Sequence, residues 1–220
     1  MDMHYIQKHI LKVLAHTKWA RFRDMRPEKV DSNAYSYHLK VLQKESYIEK
    51  HPSKGYRLSP QGLRYVDRVS VEKFELRQQP KIITMLVSRN SEGKVLLWSK
   101  RKQPFIGAWS LPNGKMHVSD ISVHSAALRE ASEKTSLSPK SLRQVGVCMI
   151  RALINGELVS YVLANVFVAE LNENHVMHEN TLWCDENERK QLRLMPATEQ
   201  IIQKTLTTDQ FFFDEYTIEW

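Results

Sequence analysis

A succession of strand, turn, loop and helix between residues 107 and 137 constrains this chain more than any other part of its sequence. It begins with Trp-x-Leu-Pro, a typical strand end, passes through the turn-forming pair Asn113-Gly114 and enters a predicted helix with Glu130 and Glu133. Residues three apart lie on one helix face, so the two carboxylates can point toward one place. Paired carboxylates on a rigid helix suit Mg²⁺, which binds one or two of them together with phosphate oxygens.

Predicted strands lie on both sides of this segment. Upstream, two runs predict a hairpin, followed by a basic triplet; these are residues 82–89 and 94–99, the turn Asn90-Ser-Glu-Gly between them, and Lys100-Arg-Lys. Downstream, residues 142–154 and 158–171 predict long strands joined at Asn155-Gly156, a strong signal for a two-residue hairpin. The second of these strands is almost entirely apolar, which predicts a central position. Gly146 indicates a bulge in the first, and a helix over residues 197–206 closes the pattern.

The segment resembles the Nudix box, G-x5-E-x7-R-E-U-x-E-E-x-G-U, in which U is a bulky aliphatic residue. The matching positions are Gly114, Glu130, Glu133 and Leu137, with Asp120 in the place of the first Glu. Arg129 comes one residue late, which indicates an insertion before it. Lys134 replaces the second Glu of the E-E pair, and Ser136 replaces the Gly. The surrounding order of strands and helices is similar to the whole Nudix layout.

The resemblance implies an α/β/α sandwich with a mixed sheet, and it implies roles for individual residues. The candidate catalytic residues are Glu130, Glu133 and Arg129, and the candidate ligands for Mg²⁺ are Glu130, Glu133 and Asp120. Candidate contacts to a bound nucleotide are Arg101, Lys102 and Gly114. Nudix hydrolases often use one more carboxylate from a later strand or loop, for which Glu170 or Glu173 is available.

Lys134 leaves two interpretations of the box open. An ammonium group beside a magnesium site repels the ion or fills its place, so the remaining carboxylates form either a weakened metal site or a salt-bridged remnant around Lys134 and Arg129. An ordinary surface helix with Glu and Lys is the plainest alternative. His175 and His178 have metal-like spacing, but nothing near them in the sequence completes a site, which favours a polar loop.

Positive charge is concentrated in the first third of the chain. Residues 1–80 contain 16 Lys and Arg against 9 Asp and Glu, whereas residues 81–220 contain 16 of each. The formal net charge of +7 therefore belongs to the N-terminal part. A basic module joined to a neutral one predicts a polyanionic partner for the first.

The N-terminal part predicts helices over residues 3–17, 21–25 and 34–44, with Asp31-Ser-Asn supplying cap chemistry for the third. A hairpin around Pro52-Ser-Lys-Gly follows, and Ser59-Pro60 starts another helix. This order resembles the winged helix-turn-helix of ArsR- and MarR-type regulators. The similarity is carried by the segments SYHLKVLQKESYIEK and YRLSPQG, with Ser46 where Gly is usual.

The resemblance implies that the third helix enters the major groove of double-stranded DNA. The candidate DNA-binding residues at its start and on its outward face are Ser32, Asn33, Ser36, Tyr37 and Lys40, and those of the wing are Lys54 and Arg57. Asn can bind adenine through two hydrogen bonds, and Lys suits phosphate. A winged helix can also serve as a protein–protein module, which remains the alternative.

The fold class expected from these patterns is α+β. The predicted domains are a winged helix over residues 1–78 and a Nudix-like domain over residues 80–206, followed by an aromatic tail over residues 207–220 that packs on the body or on a second subunit. No apolar run is long enough to cross a membrane. Cys148 and Cys184 lack C-x-x-C spacing, which favours buried free thiols in a reducing cytoplasm.

Two functional hypotheses follow from the sequence. In the first, the chain is a cytoplasmic, homodimeric transcriptional regulator that binds double-stranded DNA and senses a nucleotide-type ligand without hydrolysis. In the second, it is a Mg²⁺-dependent Nudix hydrolase that cleaves a nucleoside diphosphate linked to another moiety and carries an appended winged helix. Lys134 argues against the second hypothesis, whereas Asp120, Arg129, Glu130 and Glu133 argue for it.

Overall fold

A computed structural model describes residues 3–70, 72–76, 78–135, 139, 141–170 and 179–220 of the chain. The chain divides into two compact units, Met1–Gln78 and Gln79–Trp220. No helix among the described residues is both long and apolar enough to span a membrane. Ser136, Leu137, Glu173, His175 and His178, which the sequence analysis singled out, lie outside the described residues.

The first unit combines helices with a small hairpin, as the sequence predicts. Its elements are α1 (Tyr5–His16), a 3₁₀ turn (Phe22–Met25), α2 (Ser32–Lys44), β1 (Ile48–His51), β2 (Gly55–Leu58) and α3 (Pro60–Arg68). Asp31 caps α2, because its carboxylate accepts hydrogen bonds from the backbone N–H groups of Asn33 and Ala34. These hydrogen bonds lower the pKa of Asp31.

The core of the first unit follows the helical periodicity of the sequence. Ile10 and Leu11 of α1 and Leu42 of α2 are buried in one cluster. Tyr35 is buried among them, and its hydroxyl donates a hydrogen bond of 2.7 Å to the carbonyl of Phe22. The hydroxyl of a buried tyrosine usually has a hydrogen-bond partner of this kind.

The hairpin is joined to the helices through the backbone. The N–H of Ala20 donates to the carbonyl of Tyr56 and the N–H of Tyr56 donates to the carbonyl of Ala20, at 3.0 and 2.8 Å. Gly55 makes this approach possible: its φ is +95°, and a Cβ there would lie 2.4 Å from the carbonyl oxygen of Ala20. Only glycine combines this backbone conformation with so close an approach.

The second unit consists of two sheets and three helices within the described residues. The strands are β3 (Lys81–Ser88), β4 (Val95–Ser99), β5 (Trp109–Ser110), β6 (Asn113–Lys115), β7 (Ser141–Ile154), β8 (Glu157–Glu170), β9 (Thr181–Cys184) and β10 (Phe212–Glu219), and the helices are α4 (Val123–Thr135), α5 (Glu186–Lys190) and α6 (Thr198–Thr207). One sheet has the order β10-β7-β8-β3-β6 and the other β5-β4-β9. The larger sheet is mixed, since β3–β8 and β10–β7 are parallel pairs and the others are antiparallel.

Helices cover both faces of the larger sheet. On one face, Ala127 and Ala131 of α4 pack against Leu86 and Phe167. On the other face, Ile201 of α6 belongs to the main core cluster of the unit. Because successive residues of a strand point to opposite faces, β3 and β8 contribute to both layers. The predicted α/β/α sandwich with a mixed sheet is confirmed.

Two local predictions about this unit need correction. The turn at Asn90-Ser-Glu-Gly forms, because the N–H of Gly93 donates to the carbonyl of Asn90 at 3.0 Å and an antiparallel bridge joins Arg89 to Val95. The predicted hairpin does not continue beyond that bridge, since β3 pairs with β6 and β8, whereas β4 pairs with β5 and β9 in the other sheet. Asn113-Gly114 is not a turn, because both residues belong to β6 and pair with β3. At Asn113-Gly114, pairing with a distant strand overrides the local turn signal.

The long hairpin is as predicted. Asn155 and Gly156 have φ values of +53° and +77°, the left-handed conformation that a type I′ turn requires. The register shifts next to Gly146, which confirms the bulge, and β8 lies at the centre of the sheet. A Cβ on Gly146 would lie 2.6 Å from the ring of Phe212, so this glycine also admits β10 beside β7.

The aromatic C-terminal segment is an edge strand of the larger sheet. β10 runs parallel to β7, and the N–H of Trp220 donates to the carbonyl of Leu153 at 3.0 Å. The ring of Trp220 meets Phe105 edge to face with 4.9 Å between centroids, and the guanidinium of Arg193 lies 3.7 Å from its centroid. The predicted tail therefore packs on the body of its own unit.

Both cysteines are free and buried, as predicted. Burial raises the pKa of Cys148 to about 12 and also raises the pKa of Cys184. A thiol with a raised pKa is a poor nucleophile.

Candidate ligand-binding site

Arg129 on α4 forms a two-pronged ion pair with Asp120. Its Nε and Nη2 donate to the two carboxylate oxygens of Asp120 at 3.0 and 2.8 Å. The hydrogen bond from Arg129, together with one from the backbone N–H of His117, lowers the pKa of Asp120 to about 2. Paired hydrogen bonds of this kind fix geometry as well as charge, so Asp120 anchors the loop before the helix.

The same guanidinium engages both carboxylates of the helix. Nη1 of Arg129 donates to Glu130 Oε1 at 2.7 Å and lies 3.4 Å from Glu133 Oε1, while Nη2 donates to the carbonyl of Lys115 at 3.0 Å. Hydrogen bonds to Asp120 and Glu130 raise the pKa of Arg129 above its ordinary, already high value. Asp120, Glu130 and Glu133 therefore converge on a cation that belongs to the protein.

Glu130 is enclosed by the strand that precedes the helix. It is 3% exposed, and its Oε2 has no hydrogen-bond partner within the described part of the chain. The ammonium of Lys134 lies 4.0 Å from that oxygen. A Cβ on Gly114 would lie 1.7 to 2.0 Å from the carboxylate atoms of Glu130, so the glycine leaves the space that this carboxylate fills.

Two lysine ammonium groups lie near the ring of Trp98, at the end of β4. Nζ of Lys134 is 4.9 Å and Nζ of Lys100 is 5.2 Å from the centroid of its ring. Lys100 also donates to Oδ1 of Asn113 at 3.1 Å. The amide of Asn113 in turn donates a hydrogen bond to the hydroxyl of Ser110 at 2.9 Å. Asn113 and Ser110 are both buried, so these hydrogen bonds fix the position of the Lys100 ammonium.

Burial, followed by the positive charge of Lys134, lowers the pKa of Lys100 to about 8. Glu130 acts in the opposite direction, whereas Lys81 and Lys115 reinforce the lowering. The pKa of Lys81 is also lowered, by burial and by Lys115. These are the effects expected where lysines are crowded together away from water.

These groups line a pocket of about 680 Å³ in the second unit. Its described lining includes six basic residues and two acidic ones: Lys81, Lys100, Arg101, Lys102, Lys115 and Lys134 against Glu130 and Glu133. Apolar side chains form another part of the wall, namely Ile83, Met85, Trp98, Phe105, Ile150, Ala152, Val162, Met195 and Pro196. The pocket therefore offers a cationic region next to an apolar one, which suits a ligand with an anionic and an apolar part.

The residues present do not fit a bound divalent cation. Mg²⁺ needs near-octahedral oxygen coordination with carboxylates free to bind it. Here Arg129 engages the carboxylates of Asp120, Glu130 and Glu133, and Lys134 adds a second positive charge. No cluster of three or more His, Cys, Asp or Glu able to hold a metal occurs in the portion of the chain that is described.

The site residues predicted for the second unit lie in three places. The pocket is lined by five of them: Gly114, Glu130, Glu133, Arg101 and Lys102. Asp120 and Arg129 lie outside the lining, where Arg129 pairs with both Asp120 and Glu130. Arg101 also forms an ion pair with Glu179 at 2.6 Å. Glu170 ends β8 opposite Ser141 and is exposed, apart from the pocket.

Sequence reasoning missed Trp98, Lys81 and Lys115, and it singled out the basic triplet that begins at Lys100 but assigned the ligand contacts to Arg101 and Lys102 only. A signal for Trp98 and Lys100 existed, because residues 98, 100 and 102 alternate along an extended segment and therefore point to one side. Backbone hydrogen bonds from Lys100 to Ala108 and from Gly107 to Lys100 continue that extended pairing beyond β4.

The candidate DNA-binding residues are placed on the surface of the first unit. On α2, Ser32, Asn33, Tyr37 and Lys40 are exposed, while Ser36 is half-buried. Tyr37, at 64% exposed, is not part of the core. Nη1 of Arg26 donates to the hydroxyl of Ser32 at 2.9 Å.

The two candidate residues of the hairpin lie against Trp19. Lys54 and Arg57 are 5.7 and 5.0 Å from the centroid of its ring, which are cation–π distances. Arg57 also forms an ion pair with Glu49. These contacts order the hairpin cations on one surface.

Comparison with known families identifies the second unit. The model of the NUDIX domain matches residues 79–212. This chain belongs to the NUDIX family. A search of curated proteins found no match.

Several solved structures are similar to this chain. The NUDIX domain of Shewanella oneidensis NrtR complexed with ADP ribose is 20% identical, with 66% of this chain and 96% of that chain covered and a TM-score of 0.49. The MutT protein of Bacillus halodurans is 23% identical over 62% of this chain and 90% of its own, with a TM-score of 0.47. Shewanella oneidensis NrtR complexed with a 27mer DNA is 21% identical over 58% and 60%, with a TM-score of 0.45.

Proposed function

We propose that this NUDIX-family chain is a DNA-binding transcriptional regulator whose second unit binds a nucleotide-type ligand without hydrolysing it. The observation that carries the proposal is the charge arrangement on α4. Lys134 lies beside Glu130, and Arg129 engages the carboxylates that catalysis would need for a metal. Metal-assisted hydrolysis requires an ion that activates water, and this arrangement favours anion binding instead.

The size and lining of the pocket support a nucleotide-type ligand. A volume of about 680 Å³ lies within the range of small-molecule sites. Phosphate oxygens fit beside Lys100 and Lys134, and a base or another flat group fits the apolar wall around Met85 and Phe105. Both parts of such a ligand are thereby accommodated in one pocket.

The charge and shape of the first unit support binding to double-stranded DNA. Residues 1–80 contain the whole net positive charge of the chain. The exposed side chains of α2 present Asn33, Tyr37 and Lys40, and the hairpin presents Lys54 and Arg57. Lysine and arginine on such a surface neutralise phosphates and release counterions, which supplies much of the affinity for DNA.

Regulation requires that the ligand bind two states of the protein with different affinities. We propose a homodimer in which ligand binding changes the spacing of the two α2 helices. Each tenfold change in DNA affinity then needs about 1.4 kcal/mol of coupling free energy.

The ligand half is tested by titrating the full chain with a panel of nucleoside diphosphate compounds, with and without Mg²⁺, while heat and product are recorded together. We expect heat of binding without product at any Mg²⁺ concentration. Glu130→Gln is the control variant. Product that forms in the wild type and disappears in Glu130→Gln would make the chain a hydrolase and refute this half of the proposal.

The DNA half is tested by selecting a binding sequence from random double-stranded DNA and measuring affinity against salt concentration. Lys54→Gln should lower the salt slope by about 1, because one phosphate contact is lost. Lys12→Gln, an exposed lysine of α1, removes the same charge and should leave the slope unchanged. Failure to recover any preferred sequence, or equal effects of the two variants, would contradict DNA binding by this surface.

A further inference from the structure

Lys100 and Lys134 bring two positive charges to one aromatic ring. Their ammonium groups lie 5.2 and 4.9 Å from the centroid of Trp98. Like charges placed this closely repel each other, and this repulsion together with burial destabilises the protonated form of Lys100. A pair of cations held close despite that repulsion is suited to an anion that neutralises both.

The opposing charge supplied by the protein is incomplete. The carboxylate oxygen of Glu130 that faces Lys134 is 4.0 Å from its ammonium, at the limit of an ion pair, and the other oxygen is engaged by Arg129 at 2.7 Å. Lys100 donates to the uncharged amide oxygen of Asn113. Neither ammonium group has a close carboxylate partner of its own among the described residues.

We propose that the ammonium groups of Lys134 and Lys100, which both lie near the ring of Trp98, act in place of a divalent cation and bind a diphosphate group of the ligand directly. This inference deepens the proposed function and rests on its ligand half. Two tethered monovalent cations supply the same formal charge as one Mg²⁺ and need no carboxylates to hold them. Lysine binds phosphate as a point charge with freely rotating donors, so the clamp does not require one fixed geometry.

The surroundings of the pair favour a diphosphate over a single carboxylate. Lys81 and Lys115 also line the pocket and extend the positive region beyond the two central lysines. A carboxylate has one negative charge to share among these groups, whereas a diphosphate has at least two, distributed over several oxygens. The ligand class is therefore a diphosphate ester whose remaining part contacts the apolar wall.

The test uses inorganic pyrophosphate and the full chain in an isothermal titration, once with EDTA and once with Mg²⁺. We expect the wild type to bind pyrophosphate in EDTA. Lys134→Gln should weaken binding by about 10-fold or more, the loss expected for one charge-assisted contact of about 1.4 kcal/mol. Lys134→Arg keeps the charge and should restore most of the affinity.

Lys190→Gln is the matched control. Lys190 lies on α5 outside the pocket lining and is paired with Glu186 at 2.8 Å, so the variant makes the same change in net charge at a distance from the ligand. We expect its affinity for pyrophosphate to stay within about 2-fold of the wild type, because exposed charges are strongly screened. Thermal melting of each variant shows whether the fold is retained.

Several results would overturn the inference. These are pyrophosphate binding that disappears in EDTA, no binding by the wild type under either condition, and equal affinities of Lys134→Gln and Lys190→Gln. The outcome is separate from that of the regulatory proposal, because that proposal fails through absent DNA binding or through product formation. A chain that binds pyrophosphate in EDTA but selects no DNA sequence would retain the lysine clamp and lose the regulatory function.

Discussion

Replacing Gly114 by alanine tests how closely α4 packs against β6. The added Cβ would lie 1.7 Å from the carboxyl carbon of Glu130 and 1.8 and 2.0 Å from its oxygens, well inside van der Waals contact. Glu130 is 3% exposed and accepts a hydrogen bond of 2.7 Å from Arg129, so its side chain cannot move aside without breaking that hydrogen bond. We therefore expect Gly114→Ala to destabilise the second unit.

The magnitude follows from two contributions. Overpacking of a filled site costs about 1–3 kcal/mol, and loss of a hydrogen bond to a charged group costs about 1.5–3 kcal/mol. Because the second contribution applies only in part if Glu130 shifts rather than leaves, we expect a decrease of about 2–4 kcal/mol in the free energy of unfolding. Denaturant unfolding followed by tryptophan fluorescence and calorimetry measures this difference.

A double-mutant cycle isolates the cause. In a Glu130→Ala background the clashing carboxylate is absent, and Gly114→Ala should cost less than about 1 kcal/mol, since alanine also restricts the unfolded chain. Gly156→Ala is the control: its φ is +77° and a Cβ there meets nothing within 4 Å, so its penalty of about 1–2 kcal/mol comes from the backbone and should be equal in both backgrounds. Equal penalties for Gly114→Ala in the two backgrounds, within about 0.5 kcal/mol, would refute the reasoning.

Three further predictions concern protonation and the C-terminal strand. Since the pKa of Lys100 is lowered to about 8, pyrophosphate binding should weaken as the pH rises from 7 to 9, and Lys100→Arg should flatten that part of the titration profile relative to the wild type because arginine stays charged. Asp120 has its pKa lowered to about 2 by Arg129, so its contribution to stability is present above pH 4 and is lost as the pH falls toward 2; acid unfolding of Asp120→Asn should lack this component, and an unchanged acid transition would contradict the ion pair. Trp220→Ala removes the contact with Phe105 and should lower the free energy of unfolding by about 1–3 kcal/mol in calorimetry, whereas an unaltered stability would show that the C-terminal strand does not support the pocket wall.

The elements that sequence reasoning found correctly are those encoded by neighbouring residues. Asn155-Gly156 specifies its hairpin because few other pairs tolerate positive φ at both positions. Asp31 caps α2 as predicted, through hydrogen bonds to backbone N–H groups two and three residues away. Each of these signals acts within about one turn of chain, so the rest of the molecule does not need to be known.

The elements that sequence reasoning missed depend on partners that are distant in the chain. Asn113-Gly114 carries a turn signal and forms a strand, because β3 offers an edge about thirty residues upstream and the glycine makes room for the Glu130 carboxylate. Pairing with distant strands also separates β3 from β4. Pairing between strands that are distant in the chain overrides a local turn preference when it buries more apolar surface and gives the backbone N–H and C=O groups hydrogen-bond partners.

The sequence by itself determined the two-part organisation, the basic character of the first part and the Nudix-like order of the second, including the lysine at position 134. Only the tertiary structure decided what that lysine adjoins. It placed Trp98 of β4 and Lys100, which directly follows that strand, beside Lys134 of α4, and it directed Arg129 to all three acidic residues of the box region. Spacing along a helix fixes which residues share a face, but the charge of a site is set by everything that packs against that face, and this depends on contacts between distant strands and helices.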